Sequence, residues 1–244
     1  MRILVTNDDG IASEGLKTLA SVLVKKGHNV IVVAPDGNRS AFSHSLSIHK
    51  NLVFTTLGNK NGYDEYTLDG TPADCVKFAC HYFEKTPFDL VCSGINLGNN
   101  LGSDTCYSGT VSAGLEANFF EIKSIAFSNV AHHDQDFAAN ARVIDKYFEK
   151  FLEISSPEYT LNVNMPNGED KGVKLVRLGS QRYSDEYQKN DDGSYVLTGV
   201  PVPYDKERDS DVVLSREGYV TVTPIIYDRT AYFALNNLKE SKFR

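Results

Sequence analysis

The sequence predicts an α/β fold: a mainly parallel sheet with helices on both faces, followed by a smaller β-rich C-terminal lobe and arm. Three observations predict it. The runs Ile3-Leu4-Val5 and Val30-Ile31-Val32-Val33-Ala34 are unbroken and apolar, as strands covered on both faces must be. A helical pattern lies between them, so the opening reads as a right-handed βαβ unit. From about Gly172 this rhythm gives way to polar, alternating pieces, which divides a core at residues 1–171 from a lobe and arm at residues 172–244.

Each element has its own signal. The first strand stops at Thr6-Asn7-Asp8-Asp9-Gly10, and Ser13 to Lys26 then places Leu16, Leu19, Ala20 and Leu23 at helical spacing. Ser13 suits the N-cap and Gly27 the C-terminal stop. The second strand, Asn29 to Ala34, ends at Pro35-Asp36-Gly37, so the polar loop carrying Asn38, Arg39 and Ser40 opens on the same sheet edge as the first loop. Leu46 to Thr56 and Tyr63 to Leu68 alternate apolar and polar positions and read as a hairpin or short strands beside the main sheet. Thr71 as N-cap and Pro72 at the first helical position start a helix that runs from Ala73 to Phe83.

Leu90 to Ser93 is a short buried strand, and the loop after it is rich in glycine and asparagine. Long loops inside compact domains are uncommon and usually functional. This one ends in Tyr107-Ser108-Gly109-Thr110, immediately before the apolar helix Val111 to Phe119. Ser124 to Ser128 and Thr160 to Asn164 continue the sheet, with an amphipathic helix from Phe137 to Leu152 between them. Val173 to Leu178, Ser194 to Val202 and Gly218 to Pro224 read as later strands, and the acidic stretch Asp205 to Asp211 leads into a short helix. Such strands cannot bury a core alone, so the segment after Tyr227 is expected to need a partner, either the core of its own chain or a second subunit.

Composition narrows the classes. A net charge of −7 and a pI near 5.4 argue against a sequence-independent nucleic-acid binder, which needs a basic surface. The first strand runs straight into Asn7-Asp8-Asp9, unlike an export signal, and no apolar run approaches membrane-spanning length. The four cysteines lack CxxC spacing and read as reduced thiols of a cytoplasmic protein.

The chemistry gathers where strands end. Ligands of an open parallel sheet collect outside the carboxyl ends of its strands. Asp8 and Asp9, Ser40 and Asn96 stand on three such loops. Two adjacent carboxylates, a hydroxyl and an amide oxygen are hard donors, so together they describe a site for Mg²⁺, Mn²⁺ or Ca²⁺. An Asp-Gly turn capping the next helix is the plainer alternative for Asp9 and Gly10. The helix start at Ser108-Gly109-Thr110 offers free amides to an anion. A divalent ion beside an anion site suggests phosphoryl chemistry. Neither GxxxxGK[ST] nor a strand-to-helix GxGxxG occurs, which disfavours ATPase and dinucleotide readings. Gly10 stands where an aspartyl-nucleophile phosphatase would carry its second Asp.

Five blocks also resemble one family. RILVTNDDG, APDGNRSA, DGTPADCV, GINLGNNLGSDTCYSGTV and GYVTVTP occur in order along nearly the whole chain and look like the survival protein E (SurE) family of metal-dependent 5′-nucleotidases. The resemblance implies a Rossmann-like core and one divalent metal per subunit, held by Asp8, Asp9, Ser40 and Asn96. It implies hydrolysis of nucleoside monophosphates, with Asp8, Asp9 and Asn96 catalytic. Asn7, Ser108, Gly109 and Thr110 would meet the substrate phosphate. A homodimer with exchanged C-terminal arms, or a tetramer, is implied too. Gly37, Ala41 and Lys123 depart from the family pattern and leave every implied metal position intact.

Overall fold

In the computed structural model, which describes residues 1–131, 133–202 and 208–241, nine strands form one sheet with helices on both faces. The first half contains β1 (Arg2–Thr6), α1 (Glu14–Lys25), β2 (Asn29–Pro35), β3 (Phe54–Lys60), β4 (Tyr63–Leu68) and α2 (Pro72–Tyr82). Next come β5 (Leu90–Leu97), α3 (Gly109–Asn118), β6 (Lys123–Asn129), α4 (Phe137–Glu153) and β7 (Thr160–Met165). After β8 (Val173–Leu175) stand four short strands, β9 (Arg182–Tyr183), β10 (Glu186–Lys189), β11 (Tyr195–Thr198) and β12 (Pro201–Val202). The chain then forms α5 (Asp211–Arg216), β13 (Val220–Ile225) and α6 (Tyr232–Ser241).

The sheet order is β3-β4-β2-β1-β5-β6-β7-β13-β8. From β4 to β7 all pairings are parallel, while β3 and β13 run antiparallel to β4 and β7. The chain winds from β1 to β2 on one side and resumes at β5 on the other, so the strand order reverses between β1 and β5. That reversal opens the crevice in which α/β sheets bind ligands.

Alternation along each strand fills two layers. Ile3 and Val5 pack with Leu16, Leu19 and Leu23 of α1 and with Phe148 and Phe151 of α4. Leu4 points the other way, into a layer with Val76 and Ala79 of α2 and Ala113 and Ala117 of α3. Leu4 is fully buried, and burial of such a side chain is worth about 1.5–3 kcal/mol. The expected cap at Thr71 is present as a full capping box with Asp74, whereas Ser13 holds the N-cap position of α1 without a side-chain hydrogen bond.

Three features differ from the sequence reading. β5 runs on to Leu97, with a register shift between Ser93 and Asn96, and Gly102–Cys106 forms a 3₁₀ turn, so less of this loop is irregular. Residues 172–244 are not wholly separate from the core: β8 and β13 complete the central sheet, and β9–β12 form two two-stranded ribbons. The segment after Tyr227, read as a strand-pairing arm, forms α6, in which Tyr232, Leu235 and Leu238 recur every three residues. Residues 205–207 of the acidic stretch and the last three residues of the arm lie outside the described residues.

Candidate active site

The site begins where β1 ends. Asn7 is fully buried; its Nδ2 donates to the Gly10 carbonyl at 3.1 Å and its Oδ1 accepts from the Gly10 amide at 3.2 Å. Its side chain therefore closes the turn that presents Asp8 and Asp9. Asp8 is only 4% exposed, and its Oδ1 accepts from Thr110 Oγ1 at 2.5 Å. Asp9 is tied to the next strand, its Oδ2 accepting from the Leu97 amide at 3.0 Å.

α3 starts against Asp8, and the sequence Ser108-Gly109-Thr110 explains how. A Cβ on Gly109 would stand 2.9 Å from Asp8 Cβ and 3.1 Å from its Oδ2, so a side chain here would push the carboxylate aside. Ser108 is the N-cap, its Oγ accepting from the Val111 amide at 3.0 Å. That cap leaves the Gly109 and Thr110 amides in the first turn, where the helix dipole favours an anion.

Ser40 and Asn96 come from the other two loops. The Arg39 amide donates to the Asp8 carbonyl at 2.6 Å, which draws the β2 loop over the first turn, and Asn38 Oδ1 holds the Ser40 amide at 2.7 Å. In β5, Gly94 has φ +123° and a Cβ there would lie 2.2 Å from the Phe127 carbonyl, so only glycine permits this approach to β6. Just beyond it, Asn96 Nδ2 donates to the Gly98 carbonyl at 2.8 Å. Among the described residues Asn96 Oδ1 accepts no hydrogen bond, which leaves it available as a ligand.

Asp8, Ser40, Asn96 and Ser108 line one cleft of about 950 Å³. Asp9, Asn7, Gly109 and Thr110 do not line it; they support it from behind the residues that do, Asp9 through the cleft-lining Leu97. Burial raises the Asp8 carboxyl to about 6; the Thr110 hydroxyl pulls against this rise and the Asp9 charge adds to it. Asp9 is raised too, by burial above all, with the Leu97 amide opposing. Two neighbouring carboxylates whose charged forms are both disfavoured, beside a free amide oxygen and a hydroxyl, suit a hard divalent cation. Among the described residues no group of three or more His, Cys, Asp and Glu side chains gathers to hold a metal, so the candidate set relies on the neutral oxygens of Ser40 and Asn96 beside its two carboxylates.

A family model described as survival protein SurE matches residues 3–185, a span that holds every residue named above. The chain belongs to the SurE family. A protein named 5′-nucleotidase SurE from Carboxydothermus hydrogenoformans is 40% identical over 98% of this chain and 95% of its own length. One of the same name from Gloeobacter violaceus is 42% identical over 94% of this chain and 91% of its own. The crystal structure of the SurE protein from Aquifex aeolicus matches with a TM-score of 0.85 at 35% identity, each chain covered in full.

Sequence reasoning missed two parts of this SurE-family site. The first is its far wall: Gln181, Arg182 and Tyr183 of the ribbon and Leu197 to Gly199 line the cleft, and Arg182 is its cationic side chain. Tyr183 donates its hydroxyl to Asp104, and Ser103 Oγ donates to the Gln181 carbonyl at 2.5 Å, so ribbon and loop are joined. The second is what holds the Gly-Asn loop. Asn164 Oδ1 accepts from the Asn100 amide at 2.8 Å, and Asn162 and Asn164 donate to the Asn100 carbonyl at 2.7 and 3.1 Å. Fully buried Asp211 accepts from the amides of Gly102 and Gly179 at 2.8 and 2.7 Å. Polar residues alternating with Leu161, Val163 and Met165 inside a buried strand were the available signal.

Proposed function

We propose that this chain is a metal-dependent phosphomonoesterase that releases phosphate from nucleoside 5′-monophosphates. The observation that carries the reading is the convergence of Asp8, Ser40 and Asn96 on one cleft at the strand-order reversal, with Asp9 beside them. The names of relatives at about 40% identity supply the substrate class. Asp8, Asp9, Ser40 and Asn96 would hold one Mg²⁺ or Mn²⁺. When bound, such an ion polarises a phosphoryl group and makes a water more nucleophilic at neutral pH.

The chain's own groups do the rest. Thr110 fixes the Asp8 carboxylate, and α3, whose N-cap Ser108 lines the cleft, would offer the positive end of its dipole to an incoming phosphate. Ser108 shapes that first turn, Asn7 holds the Asp8-Asp9 turn in place, and Arg182 brings a guanidinium to the cleft wall. The ribbon forms the far wall of the cleft and bounds the room left for a substrate. Phosphate release from a panel of nucleoside 5′-monophosphates, 3′-monophosphates and short polyphosphates, with Mg²⁺, with Mn²⁺ and with chelator, tests the reading. Metal-dependent turnover of the 5′-monophosphates is expected; tight nucleotide binding without turnover would instead make the chain a nucleotide-sensing module.

The reading extends to assembly and place. A homodimer with exchanged C-terminal arms, or a pair of such dimers, is supported by the exposed Tyr232 and Phe233 of α6, apolar rings that a second subunit would cover. Four unpaired cysteines support a reducing, cytoplasmic setting.

A further inference from the structure

The loop that carries Ser40 has no secondary structure, yet a metal ligand must be held to within a fraction of an ångström. Its hydrogen bonds show where it is pinned. Arg39 is fastened to Asp8 through the backbone, and beyond Ser40 the Ser43 amide and hydroxyl donate to the carbonyls of Tyr107 and Cys106 at 3.1 and 2.7 Å. Ala41 and Ser43 have φ of +61° and +54°, conformations a non-glycine residue keeps only when its surroundings impose them.

What imposes them lies on α3. Glu116 is a carboxylate in the last turn of this helix whose side chain is 2% exposed. Its Oε2 meets His44 Nε2 at 2.8 Å, and its Oε1 accepts from Lys77 Nζ of α2 at 2.6 Å. His44 follows directly on Ser43 and also lies against the Phe119 ring, with centroids 6.1 Å apart. A buried carboxylate is costly unless it is paired, so Glu116 draws His44 down and brings the Ser40 loop with it.

We propose that the His44–Glu116 pair is a positioning device for the active site: it straps the Ser40 loop to the same helix whose N-terminus faces the cleft. α3 thereby sets both the anion site and the Ser40 ligand, so the two keep a fixed distance. Lys77 holds the other oxygen of Glu116 and keeps the carboxylate turned toward the loop. The inference rests on the proposed reading of Ser40 as a metal ligand.

The test compares H44A and H44Q with the wild type, since a Gln amide can reach the place of Nε2 and an Ala cannot. Two readouts are taken on the full chain: the affinity for Mn²⁺ without substrate, and hydrogen exchange of residues 38–44. H44A is expected to weaken Mn²⁺ binding about tenfold, the scale of one charged hydrogen bond, and to speed exchange at the Ser43 amide, while H44Q restores most of both. Unchanged exchange in H44A overturns the strap. Faster exchange with unchanged Mn²⁺ affinity overturns its role in the site. A wild type that binds no Mn²⁺ contradicts the functional reading itself; in that case the strap's role in the site falls with it, and the exchange measurement alone decides whether His44 holds the loop.

Discussion

Replacing Thr110 by Val asks how Asp8 is held. The change keeps the shape of the side chain and removes the hydroxyl that donates to Asp8 Oδ1 at 2.5 Å. Because Asp8 is 4% exposed, water has little access to replace the lost donor. A hydrogen bond to a charged group contributes about 1.5–3 kcal/mol net. For a chain of this size each kcal/mol shifts Tm by about 2–4 °C, so thermal unfolding should fall by about 3–12 °C. If Asp8 is a metal ligand, loss of the donor that aims its carboxylate should also weaken Mn²⁺ binding. Thr110→Ser keeps the hydroxyl and should stay close to wild type in both. The assays are thermal unfolding, Mn²⁺ titration and nucleotide KM at saturating metal. T110V with normal Mn²⁺ affinity but raised nucleotide KM would show that the hydroxyl contacts the substrate phosphate, and would refute the orienting role.

Three other outcomes follow from the same geometry. Ser40 and Asn96 are neutral donors, so S40A and N96A should lose turnover that raised metal concentration partly restores; an unchanged apparent metal affinity would remove them from the ligand set. Burial pushes the Glu116 carboxyl up, but hydrogen bonds from His44 and Lys77 outweigh it and hold the group below its ordinary 4.5. Folding thus favours the anion, its contribution is present above about pH 4.5 and fades as pH falls through the lower folded value, and the Tm gap between wild type and E116Q should narrow below that pH. Deleting the chain from Asp228 onward removes α6 and should lower the mass seen in analytical ultracentrifugation while leaving Mn²⁺ binding intact; unchanged mass and Tm would make α6 a surface appendage.

The parts of the fold that were legible are those where one physical signal dominates. β1, β2, β5 and β6 are buried on both faces and so read as unbroken apolar runs, and α2 announces itself through Thr71 and Pro72. α1 and α4 show their apolar stripe at helical spacing. The C-terminal helix was missed because Ala231, Tyr232, Phe233 and Leu235 look like an exposed apolar cluster whether helical or extended. The site divides the same way. The end of β1 at Asp8 and Asp9 and the helix start capped by Ser108 were legible as local structure, because an apolar run that stops at polar residues and a Ser-Gly pair before an apolar helix each carry a local signal. The bond from the Thr110 hydroxyl to Asp8, 102 positions earlier in the chain, had no sequence signal. What Asp211, Asn162 and Asn164 support was hidden for the same reason: their partners in the Gly-Asn loop lie 62 to 109 residues away, and although the buried asparagines of β7 signalled a polar role, only the completed sheet shows which groups they hold.

The central claim is that four oxygens from three strand-end loops bind one divalent cation. Anomalous scattering from crystals soaked in Mn²⁺ tests it without reference to turnover. The expected map has a single strong peak within bonding distance of Asp8, Asp9, Ser40 and Asn96, and the peak is lost in D8N. A peak placed elsewhere, or one that persists unchanged in D8N, would contradict it.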